Sequence, residues 1–402
     1  MSRPAGCATC WSDDDVDALL RYAEEWIAAA TGQLWPHTEV TFGPLATAGG
    51  ALYRQVQAGE ETLCGTVRPA GAPLSRLVRG DHGAFVTVLL DGDGGAANAT
   101  LGQAEQLTAL ATYTRLRVTA PTATAKGVMF TPWTSDADLA HRLQTQPARL
   151  PEMVTALMDD LRELYRDPAV QLRQAATPGS LPRVLTDAMS HTATHLHADA
   201  TVGEVGELRA LAGSLSARLA RLTTRLDPAM VTRSGLAFGN LSPRGVRYPD
   251  GSSRPVLTSP ALEPGGDLVD IGTLLGHLHL LALGCPPPVR AELVEGLEAW
   301  LSGRLSACRD QWRGWLTVVL TLWAATAYDQ VVTALTLPTA TRSLNPATAN
   351  LVDRPLPALS VLDVLTRELR RRGADAALNA TLATLAASPA DQPRNQSHLA
   401  DR

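Results

Sequence analysis

Apolar residues recur three and four apart through Val16, Leu19, Leu20, Ala23, Trp26 and Ile27, with Asp13, Asp14 and Asp15 before them and Gly32 after. Side chains at that spacing share one helix face, and acids favour the positive end of the helix dipole, so an amphipathic helix ending near Gly32 is predicted. The period then changes. Residues 39–45, 51–57 and 61–67 read as strands, with residues 84–90 as a fourth. The run Ala46, Thr47, Ala48, Gly49, Gly50 separates the first two. Strands so close in sequence predict an antiparallel meander. Residues 92–95 mark a loop. A helix over 101–114 and a strand over 127–131 follow.

From Trp133 onward the pattern is helical. Helices are predicted near Leu139 and over 151–165, 181–197 and 205–224. Between Gly235 and Gly266 it breaks into Pro- and Gly-rich loops with short strand-like pieces at 246–248 and 255–258, and helices then resume to about Ala387. The polar, Pro-containing end is expected to be disordered. The expected organisation is a helical extension (1–35), a small β-rich lobe (36–131), a helical lobe (132–387) and a tail (388–402). No internal repeat interrupts it.

Composition narrows this picture. The chain has 402 residues, enough for one large or two closely packed domains. Hydrophobic residues are 45% and charged residues 19%, a balance that argues against wholesale disorder. Forty acids against 35 bases leave a net charge of −5, which disfavours nucleic acid or an anionic membrane as partner. The most apolar run, residues 315–328, carries three threonines and falls short of the roughly 20 residues of a spanning helix. It reads as a core helix. The first residues carry no apolar signal core, so a cytoplasmic location is expected. Five cysteines, an odd number, fit reduced thiols better than a disulfide framework. Lys126 is the only lysine.

The loop-dense patch is the informative part. It contains Phe238-Gly239-Asn240-Leu241-Ser242-Pro243-Arg244-Gly245, then Ser259, and then Asp267 and Asp270 at the head of a helix. In spacing this resembles the aminoglycoside phosphotransferase-like branch of the protein kinase-like fold. That family has a catalytic loop of the form H-G-D-x-x-x-x-N, a short strand, a metal-binding Asp, and a further Asp opening the next helix. The resemblance covers about residues 36–385. It implies an α+β, two-lobed kinase-like fold with a β-rich N-lobe and a helical C-lobe.

The departures fall on the positions that carry chemistry. Phe238 stands for the loop histidine, Asn240 for the catalytic Asp, Gly245 for the metal-binding Asn and Ser259 for the metal-binding Asp. Thr66 is the best match to the phosphate-binding lysine of the third strand, and Glu105 to its glutamate partner. Gly49 and Gly50 lie where the nucleotide-covering loop would be, though a plain hairpin turn explains them as well. Asp270 keeps its framework role. Phosphoryl transfer needs metal ions bridging phosphate oxygens and a group that positions the acceptor hydroxyl. An amide cannot take a proton as a carboxylate does, and Ser and Gly make poor ligands for a hard cation.

The resemblance therefore implies a pseudokinase. No metal or cofactor is expected, with ATP and magnesium weakened as ligands. The partner would be a peptide or protein, such as an active kinase or lyase of a pathway making modified peptides. The other reading is an active phosphotransferase or nucleotidyltransferase using Asp267, Asp270 or Glu263 as substitute metal ligands. Three further groupings are read as structural. Cys7 and Cys10 lack a second pair to complete a zinc site. His191, His195 and His197 lack a metal-site glutamate. His277 and His279 point to different faces of one helix.

Overall fold

The computed structural model describes residues 13–48, 51–68, 95–134, 137–191, 202–231, 235–249, 252, 254–308, 311–336, 351 and 355–388. Helix α1 (Asp13–Leu34) buries Leu19, Ala23, Ile27 and Ala30. It runs through Gly32, because Thr31 bonds back to the Ile27 carbonyl and Leu34 and Trp35 reach the small-lobe core. That packing outweighs the helix cost of one glycine, about 1 kcal/mol. Strands β1 (Val40–Ala48), β2 (Ala51–Ala58), β3 (Glu61–Val67), β4 (Ala123–Ala125) and β5 (Val128–Pro132) form an antiparallel sheet in the order β1-β2-β3-β5-β4. β1 tolerates Pro44 because it is an edge strand with a bulge between Phe42 and Leu45.

The meander is as expected, and β4 is an addition. It pairs with β5 around Lys126 and Gly127, whose φ values of 48° and 72° suit a tight hairpin turn. The one lysine of the chain is therefore a turn residue. The expected strand at 84–90 lies outside the described residues.

The alternation of β3 has a direct consequence. Leu63 and Val67 face α1 and the core with Leu52, Val56 and Phe130. Cys64, Thr66 and Arg68 share the opposite face. Helix α2 (Gly95–Tyr113) begins six residues earlier than its pattern suggests, and packs Ala104 and Leu107 against Met129 of β5.

The large lobe begins with α3 (Leu139–Thr145), α4 (Leu150–Asp160), α5 (Arg162–Arg166), α6 (Val170–Ala175), α7 (Arg183–Ser190) and α8 (Val202–Thr223). A short helix, α9 (Pro228–Val231), leads into the loop-dense patch. There β6 (Leu236–Ala237) pairs with β9 (Glu263–Pro264), and β7 (Val246–Arg247) with β8 (Val256–Leu257). The lobe is completed by α10 (Asp267–Leu283), α11 (Pro287–Ala307), α12 (Trp312–Thr336), α13 (Pro355–Arg371) and α14 (Ala374–Ala387).

α12 contains the apolar run and continues beyond it to 25 residues, long and apolar enough to cross a membrane; 83% of its most apolar window is buried inside the lobe. It is the core helix the sequence suggests. It crosses α10 at Gly272 and Gly276. Arg290 is buried on α11 and donates to the carbonyls of Ala282, Leu283, Cys285 and Ser388. Its charge thus closes the C-terminal end of α10, where carbonyls lack partners, and pins the end of α14.

The architecture is two-lobed α+β. Several hydrogen bonds join the lobes. Leu257 exchanges backbone hydrogen bonds with Arg117 and Thr119. Buried Gln106 on α2 donates to the Ala175 carbonyl at 3.0 Å and accepts from the Leu262 amide at 3.1 Å.

Candidate functional site

The loop between β6 and β7 is held from below by Asp270, in the first turn of α10. Its fully buried carboxylate accepts from the amides of Phe238 at 2.7 Å and Gly239 at 2.8 Å, and from the Tyr165 hydroxyl at 3.1 Å. Burial pushes its pKa up to about 7, against the pull of those three donors. Gly239 adopts φ 83°, and a side chain there would collide with the Ala261 carbonyl oxygen. Ala261 in turn donates its amide to the Phe238 carbonyl at 2.8 Å. The loop and the 259–261 segment are thus pressed together, which a residue with a β-carbon would prevent.

Three positions singled out by spacing meet here. Asn240 donates its amide to the Ser259 carbonyl at 3.3 Å. Ser242 caps the short turn that ends at Gly245, accepting from its amide. Thr258 donates its hydroxyl to the Gly245 carbonyl at 3.2 Å and lies 3.5 Å from the Ser259 hydroxyl. Amides, hydroxyls and carbonyls line this point, and Asn240, Gly245 and Ser259 bring no carboxylate to it. Phe238 is buried as core.

The three carboxylates proposed above as substitute ligands have other partners. Asp267 pairs with Arg304 at 2.9 Å. Asp270 holds the loop. Glu263 is buried and accepts from the Arg183 amide at 2.7 Å. Burial pushes its pKa up to about 7, opposed by that amide and by the Arg183 charge. Among the described residues no group of three or more His, Cys, Asp or Glu side chains is arranged to hold a metal.

The small lobe departs from expectation in two respects. Thr66 lies on β3, with its hydroxyl 3.6 Å from Cys64 Sγ. The fixed charge missing from it is present two residues on, on the same strand face: Arg68 Nε donates to Gln103 Oε1 at 3.1 Å. The second departure concerns Glu105, which is exposed and lines an open cavity of about 480 Å³ on the outer side of α2 with Leu101, Thr108 and Tyr113. Helical phase explains the difference. Gln103 and Gln106, three apart, share the buried face, and Glu105 points away from it. Gly49 and Gly50 lie outside the described residues.

Cations from the large lobe face this surface. Burial raises the pKa of Tyr53, and Arg247 and Arg244 partly offset it. Burial likewise raises Cys64, against the Thr66 hydrogen bond and the Arg247 charge. Burial pulls Arg68 down to about 10, and the charge of Arg183 adds to the effect. Sequence reasoning missed Arg68 and Gln103 because it looked for a lysine and a glutamate. The available signal was strand alternation, which puts position 68 on the face of position 66.

The described histidines of these groupings lie in packed surroundings. His191 follows α7 with Nε2 2.7 Å from Asp329 Oδ1, while His195 and His197 lie outside the described residues. His279 is buried and accepts from Trp323 Nε1 at 3.3 Å; burial pushes it down to about 3. Cys7 and Cys10 also lie outside the described residues.

No protein-family profile and no curated protein matches this chain by sequence. Several solved structures are similar to it. An ethanolamine kinase of Plasmodium vivax has 8% identity over 87% of this chain and 91% of its own, with a TM-score of 0.46. A microcompartment-associated aminopropanol kinase has 12% identity over 85% and 97%, with a TM-score of 0.47. A spectinomycin phosphotransferase has 9% identity over 88% and 97%, with a TM-score of 0.40.

Proposed function

We propose that this chain is a catalytically inactive, kinase-like protein that binds a peptide or protein partner and does not transfer phosphoryl groups. One observation carries the reading. Asn240, Gly245 and Ser259 converge, and together they offer a divalent cation no carboxylate. A hard cation needs several oxygen ligands, preferably anionic, and the reaction needs that cation to neutralise phosphate charge. Loss of one such group costs on the order of 10²- to 10³-fold in rate, by analogy with single oxyanion-donor removals. Loss of all of them leaves little rate above the uncatalysed reaction.

The active-enzyme reading counts on Asp267, Asp270 or Glu263, and the partners of all three weigh against it. Asp270 supports the scaffold half of the proposal, since it holds a catalytic-type loop whose chemistry has been replaced. A binding role fits a chain that keeps the framework and lacks the reacting groups. An active kinase or lyase acting on a peptide is the partner class this suggests.

The test is phosphoryl transfer from γ-labelled ATP with magnesium, to water and to peptide serine or threonine. The expected result is no label released or transferred above the protein-free blank. Sustained, magnesium-dependent turnover by the purified chain would overturn the proposal.

A further inference from the structure

We infer that the five-stranded sheet and α1 form a cap that moves as one body, while α2, which packs on that sheet, is a fixed part of the large lobe. The inference concerns motion alone and holds whether or not the chain transfers phosphoryl groups.

The buried clusters among the described residues draw the boundary. α1 and the sheet enclose a core of their own, with Ile27, Leu52, Val56 and Phe130 fully buried. Leu110 of α2 and Leu116 just beyond it belong instead to the core of the large lobe, together with Leu161 and Leu172. Between the two cores lies a small third cluster, Ala104 and Leu107 of α2 against Met129 of β5.

Polar contacts divide in the same way. Gln106, buried on α2, bonds to the Ala175 carbonyl and the Leu262 amide of the large lobe. Past α2, the Arg115 amide donates to Glu163 at 3.2 Å. Leu257 donates to the Arg117 carbonyl at 2.8 Å, and Thr119 to the Leu257 carbonyl at 3.1 Å. Toward the sheet, α2 makes the hydrogen bond from Arg68 to Gln103 at 3.1 Å. Packed units move against each other unless a large apolar interface joins them. Parting α2 from the large lobe would open that lobe's core and strand the buried Leu262 amide, which is costly. Sliding the sheet on α2 disturbs only the Met129 cluster and one side-chain hydrogen bond. The motion carries Cys64 and Thr66 relative to the Asn240 loop and leaves α2 beside Leu262.

Native-state hydrogen exchange of the full chain, read amide by amide at a series of low urea concentrations, tests this. Segments that open together share one exchange behaviour. Amides of α1, β2, β3 and β5 are expected to form one class, at least about 10-fold faster than Leu110 and the large-lobe core. Met129→Ala is expected to speed that class about 10-fold or more and leave Leu110 unchanged, since it thins the joint. Gln106→Glu keeps an acceptor for Leu262 but has no donor for the Ala175 carbonyl. It is expected to speed Leu110 about 10-fold and leave the sheet class unchanged.

The inference is overturned if Leu110 exchanges with the sheet in the wild type, or if the whole chain opens as a single unit. It is also overturned if Gln106→Glu speeds the sheet as much as α2. Should either variant fail to fold, the wild-type pattern alone decides.

Discussion

Asp270→Ala is expected to cost about 3–5 kcal/mol of stability near pH 5. The substitution leaves two backbone amides and a phenol, all turned inward, without their acceptor, at roughly 1–3 kcal/mol for each buried unsatisfied group. The pH dependence identifies the cause. The pKa of Asp270 is raised from 3.8 to about 7 in the folded state. Between those values the folded state binds more protons than the unfolded one, so the stability of the wild type falls as pH rises. Asp270→Ala removes this group's share of the fall. The penalty should therefore shrink by about 2.7 kcal/mol between pH 5 and pH 8, from about two pH units of titration at 1.36 kcal/mol each. Denaturant unfolding at the two pH values measures it. A penalty that grows with pH would mean that the carboxylate is stabilised as an anion.

Gly276→Val is expected to cost at least about 3 kcal/mol, the upper end of overpacking effects. A β-carbon at 276 would lie 2.5 Å from Thr326 Cβ and 3.0 Å from the Trp323 carbonyl oxygen. One at Gly272 would collide with Leu322 Cβ. These atoms belong to the core of α12, so the clash can be relieved only by spreading α10 and α12, which strains the buried Trp323–His279 hydrogen bond. Gly303→Ala is the control. Its β-carbon would meet nothing within 4 Å, and helix propensity predicts a gain of up to about 1 kcal/mol. Unfolding midpoints of the two variants should move in opposite directions.

Gly272 and Gly276 show where sequence reading stopped. Their four-residue spacing was visible, but its meaning depends on which helix lies opposite, and that is tertiary information. Period and punctuation were enough for α1, β2, β3 and α12, because each buries one face or is buried all round. Strand β4 was too short for its alternation to register. The loop around Asn240 was legible through spacing alone, since Gly239 and Asp270 are fixed by backbone needs that side-chain chemistry does not alter. Arg68 was overlooked for a different reason: a fixed charge can move two residues along a strand and keep its face. Glu105 was misassigned because a helix turns about 100° per residue, so a shift of two positions reverses the face.

The account stands or falls on magnesium. Calorimetric titration of the intact chain with ATP, with and without magnesium, tests it most directly. The absence of cleft carboxylates at positions 240, 245 and 259 predicts that magnesium adds no affinity, well under the tenfold that corresponds to 1.4 kcal/mol. Tight binding that requires magnesium would contradict it, because other residues would then have to hold the metal.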